Sequence, residues 1–165
     1  MTGPTVQGVR VEAVVPAWML ADGEYVGLAP GDPVHTGFAL AVTATSPGAA
    51  ETFDQAPDRP GLTTVAGRTA TVGRSTVLVG GPWTLALFTA GRVPAGVELL
   101  VEGWLTVEPY LWAPDGELAR DRPEGRVGWT VARVRMVGDA AEDLDRLPGE
   151  TGVDPDAAYV LDLTR

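Results

Sequence analysis

The chain has no cysteine, lysine, isoleucine or asparagine, and it has one histidine, His35. Without cysteine it can form no disulfide, no thiolate nucleophile, no iron–sulfur cluster and no cysteine-based zinc site. Without lysine the phosphate loop Gly-x4-Gly-Lys cannot be written, and Gly-x-Gly-x-x-Gly does not occur either, so the common nucleotide-dependent chemistries are not expected. The missing lysine, isoleucine and asparagine have A/T-rich codons, and all twelve basic residues are arginine. That bias points to a high-GC genome, such as an actinobacterium's, rather than to functional design. Long apolar runs are missing too. No segment approaches the roughly 20 residues that span a bilayer. The start, Met1-Thr2-Gly3-Pro4, lacks the basic-then-apolar pattern of a leader. The expectation is a soluble cytoplasmic protein with no membrane contact.

The chain's 165 residues suit a single domain spanning 1–165, large enough to bury a core without metal or disulfide. Acidic residues number 22 against 12 basic ones, a net charge of −10. Such a surface repels phosphate backbones and anionic membranes on average and favours solubility or basic partners. Nucleic acid is therefore not an expected partner. The arginines are scattered except for Arg120, Arg122, Arg126, Arg133 and Arg135, which would make only a local basic strip.

Gly (21) and Pro (14) punctuate the chain at short intervals, and the runs between them are rich in valine, threonine, leucine and aromatics. Short β-prone runs at regular spacing predict an all-β fold. Strands are expected at 9–15, 34–43, 62–72, 76–79, 83–89, 97–112, 127–137 and 158–163. The 62–72 and 76–79 runs read as two arms joined at Gly73-Arg74-Ser75. Residues 46–60 read as a polar, mobile loop and 114–125 as a charged hairpin loop. At most one short helix is expected, at 140–147 with Asp139 as its cap. In 127–137 the apolar parity changes between Val131 and Val134, which requires either a bulge near Ala132 or a face carrying Trp129, Arg133 and Arg135. Closing the sheet removes its edges, so a single antiparallel barrel is expected, an OB-like Greek key in preference to the alternative β-sandwich.

Catalytic patterns are weak. A Ser–His–Asp triad would have to use His35, which reads as an exposed strand residue, and Gly73-Arg74-Ser75-Thr76-Val77 falls one residue short of a nucleophile elbow. The acidic groups Glu51, Asp54, Asp58, then Asp139, Glu142, Asp143, Asp145, then Asp154, Asp156 lack calcium-loop spacing. They read as solvated loop charges. No metal, cofactor or enzymatic activity is expected.

The most informative pattern lies on 97–112. At period two, Glu98, Glu102, Trp104, Glu108, Tyr110 and Trp112 share the polar face. Three carboxylates beside three large aromatics resemble the lining of a carbohydrate or cation site. Glu98 and Glu102, four residues apart on a strand, lie about 13 Å from each other, too far for a glycosidase pair. The plainer reading pairs this face with Arg133 and Arg135 of the following strand. As a functional surface, these six residues point to a non-enzymatic module that binds a protein partner or a second copy of itself. One alternative is an acidic immunity or inhibitor protein capping a basic partner. The other is a barrel that binds a small ligand or carbohydrate.

Overall fold

The computed structural model of the chain describes residues 8–48 and 50–165. The leader reading of the first residues therefore lies outside the described region, as does Ala49 of the 46–60 loop. The described chain is mostly β: β1 (Arg10–Val15), α1 (Ala17–Ala21), β2 (Pro33–Thr36), β3 (Phe38–Pro47), β4 (Phe53–Gln55), β5 (Leu62–Val72), β6 (Ser75–Gly80), β7 (Trp83–Phe88), β8 (Glu98–Val107), α2 (Glu117–Asp121), a single 3-10 turn (Pro123–Gly125), β9 (Val127–Val137), β10 (Ala141–Leu144) and β11 (Ala158–Thr164).

Five strands form a ring in which β8 pairs β3, β3 pairs β7, β7 pairs β6, β6 pairs β5, and β5 pairs β8 again. The remaining sheet leaves this ring at β8. There β5 runs alongside as far as Leu62↔Trp104, and β1 takes over at Val14↔Thr106. Because β3 occupies the other edge of β8 throughout this stretch, β1 and β5 share one edge and diverge from it. Beyond β1 lie β11 and then β9, which carries β10 and β2.

Alternation explains the packing. Val11, Ala13 and Val15 of β1, Leu161 and Leu163 of β11, and Leu40, Leu85, Val101 and Leu105 of the ring point into one continuous buried cluster. A second, smaller cluster lies on the opposite face of β3, β6 and β7, where Ala39, Val77 and Ala86 are covered by Trp112 and Leu118. The parity change in β9 is a register shift that leaves Ala132 unpaired opposite Asp162/Leu163, so Trp129, Val131 and Val134 all face inward. Of the two arrangements the sequence left open, the structure has the bulge at Ala132.

A charged network sits on the outer leaf. Asp162 is 0% exposed. It accepts hydrogen bonds from Arg10 and, at 2.7 Å, from Arg135, which also approaches Glu12 at 3.4 Å. A buried carboxylate with two guanidinium partners is tolerable where an unpaired one is not.

Several expectations are corrected. The pairing is not purely antiparallel: β3–β7 and β1–β8 are parallel. Residues 141–144 form β10, not a helix, because the exposed edge of β9 offers them a ladder and Asp143 an ion pair with Arg133. The two short helices fall at α1 and α2 instead. The 46–60 segment contains the end of β3 and all of β4. The 114–125 segment is no hairpin loop, since β11 and β1 stand between β8 and β9. For the same reason the outer face of β8 does not meet Arg133 and Arg135, which pair with Asp143 and with Asp162 and Glu12 respectively.

Candidate binding surface

The six residues expected to share one face are divided in the structure. The period-two pattern holds from Glu98 to Val107 and then stops, because β8 ends before Glu108-Pro109. Glu98, Glu102 and Trp104 remain on the outer face and are exposed. Glu108 is buried, and its Oε1 accepts the backbone N–H groups of Tyr110 at 3.0 Å and Leu111 at 3.2 Å. That turn redirects the chain. Trp112 is 0% exposed; its indole N–H donates to the Phe38 carbonyl at 2.9 Å. A Cβ on either Gly37 or Gly125 would overlap the Trp112 ring, so two glycines form the slot that holds it. Trp112 belongs to the core, not to a binding face.

Tyr110, 45% exposed, stacks on Trp18, 52% exposed, with ring centroids 5.8 Å apart and planes 17° from parallel. Trp18 sits on α1, whose Met19 and Leu20 anchor the helix in the core while Trp18 faces outward. Pro16 starts this short helix, and the backbone turns back after Asp22. The turn brings Asp22 and Glu24 near the stack. The Tyr110 phenol is pushed above its ordinary pKa, first by desolvation and then by the negative charges of Glu24, Asp22 and Glu108. Glu150 brings a further carboxylate against Gly23. Asp22, Glu24 and Glu150 form no ion pair among the described residues. Under this surface, burial pushes the pKa of Tyr25 up to about 12, although its hydroxyl shares a 2.8 Å hydrogen bond with Thr36 Oγ1.

Trp104, 37% exposed, stands where β1 and β5 part. It borders a groove of about 370 Å³ with Val14, Pro60, Val137 and Val160. The groove is largely apolar, with Asp58 and Arg59 on its rim.

His35 is exposed on β2 opposite Gly128. No three His, Asp or Glu side chains among the described residues converge as metal ligands would, and no helix there is long and apolar enough to cross a membrane.

Trp18 was missed from sequence. Its only signal, Asp22 four residues on, is one helical turn, too short for periodicity to register. No family model, curated protein or solved structure matches the chain.

Proposed function

We propose that the protein is a non-enzymatic, OB-like β-barrel module of the cytoplasm that binds a basic protein partner through the Trp18–Tyr110 surface. The observation that carries this reading is the exposed aromatic stack with unpaired carboxylates beside it. Large amphipathic rings bury area at low entropic cost and are enriched in binding hot spots. An arginine guanidinium laid over the stack gains a cation–π contact and, at the rim, charge-assisted hydrogen bonds to Asp22, Glu24 or Glu150. The net charge of −10 adds long-range attraction for such a partner. The same pairing of ring and acid recurs on β8, where Trp104 stands two residues from Glu102, so Glu98, Glu102 and Trp104 form a second contact face in this reading. The barrel reading rests on the five-strand ring, the strand number of an OB fold.

The test is a titration of arginine-rich, lysine-rich and glutamate-rich peptides, followed by tryptophan fluorescence at low and high salt. The arginine peptide should bind best, the lysine peptide more weakly and the glutamate peptide not at all, with binding weakening as salt rises. Equal response to all three, or indifference to salt, would overturn the proposal.

A further inference from the structure

A separate groove has the opposite electrostatic character. It encloses about 840 Å³ between the β5–β6 hairpin tip, the end of β7 and the 89–97 connection to β8. Arg74 enters from the hairpin and Arg92 from the connection. Thr71, Ser75, Thr76 and Thr89 also line it, with Phe88, 45% exposed. No carboxylate lines this groove, on a chain with 22 acidic residues. Neither arginine forms an ion pair among the described residues. Glu117 packs against Gly73 at the hairpin tip but makes no ion pair with Arg74.

Both walls are built in place. The hairpin is closed by the two residues Gly73-Arg74, with Val72 opposite Ser75 and Gly73 at φ 57°, so Arg74 is carried on a tight turn rather than a long loop. The connection is fastened to buried Thr69, whose hydroxyl donates to the Pro94 carbonyl at 2.6 Å and accepts the Val97 N–H at 3.1 Å. Its backbone adds Gly96 N–H to Thr69 O at 2.8 Å. Thr89 Oγ1 also accepts the Gly91 N–H at 3.2 Å beside Arg92. Such fixed walls lower the ordering cost of binding.

From this geometry we infer a second binding site, for a ligand that joins a phosphate to a flat aromatic ring. The guanidinium groups of Arg74 and Arg92 take the phosphate oxygens, the hydroxyls supply further donors, and the ring stacks on Phe88. A free nucleotide and the nucleotides of a single strand share this chemistry. Net charge, which argues against nucleic acid for the surface as a whole, is an average, and this groove departs from it. The site does not depend on the Trp18–Tyr110 surface.

The test uses the full chain with three probes: inorganic phosphate, adenosine monophosphate, and a short fluorescent oligothymidine. Calorimetry and polarisation at low salt read the affinities. One of the two ring-bearing probes should bind more tightly than phosphate, and which of them binds better identifies the source. R74E with R92E should weaken that probe at least tenfold, and Phe88→Ala should weaken it about tenfold, the worth of one stacking contact. Trp18→Ala should leave it unchanged. Both arginines are exposed, so the charge reversals should keep the wild-type circular dichroism. Absence of binding by both ring-bearing probes up to millimolar concentration would overturn the inference. So would phosphate binding as tightly as the better of the two, or affinity for that probe that survives R74E with R92E.

Discussion

Trp104 and Trp112 stand eight positions apart with the same strand parity, yet one is on the surface and the other is sealed in the core. Trp104 lies within β8, where parity dictates which side faces out. Trp112 lies beyond Glu108-Pro109, where the strand has ended, and the turn held by the Glu108 carboxylate rotates it inward. The side chain is the same at both positions. Their fates differ because alternation constrains a side chain only while the ladder continues.

The largest way to sharpen that contrast is Trp112→Ala. It empties a slot lined by Gly37 and Gly125 and removes the indole hydrogen bond to the Phe38 carbonyl, and should cost about 3–5 kcal/mol of stability. Chemical denaturation reads this directly; a loss near that of Trp104→Ala would erase the distinction. Asp162→Ala comes next. It leaves Arg135 buried without its main counter-charge, at a cost of about 3 kcal/mol, while Arg10 is free to hydrate. A neutral outcome would mean that the network contributes no net stability.

Tyr25 offers a pH test. Its native pKa is raised from 10.0 to about 12 by burial, so the native state holds the phenolic proton where the unfolded chain releases it. The stabilisation from this group is full below pH 10 and is lost as pH rises toward 12, amounting to about 2–3 kcal/mol. Tyr25→Phe should lack that decline when unfolding is compared across the window, and identical alkaline profiles would contradict the burial. The smallest stability effects belong to Trp104→Ala and Trp18→Ala, each expected to cost less than about 1 kcal/mol.

Much of the fold was legible because alternation survives in the long strands. The phase change in β9 was readable, though not which of two arrangements produced it, and the hairpin was visible in Gly73-Arg74-Ser75, one residue longer than the turn that forms. Three things were not. Strand order is set by long-range pairing, so nothing local shows that β11 and β1 separate β8 from β9. Segment 141–144 has a helical composition that an open sheet edge overrides. Half of the exposed aromatic stack comes from α1, little more than one turn long, and its aromatic partner lies 92 positions away, at Tyr110. Of the six residues singled out from sequence, Glu98, Glu102, Trp104 and Tyr110 are exposed, and Glu108 and Trp112 are buried.

The most direct measurement is the affinity of the arginine-rich peptide for a chain carrying W18A and Y110A together, read beside that variant's unfolding curve. The account predicts native-like stability with binding reduced on the order of tenfold, the scale of a lost cation–π contact. Unchanged affinity in a folded double variant would contradict it.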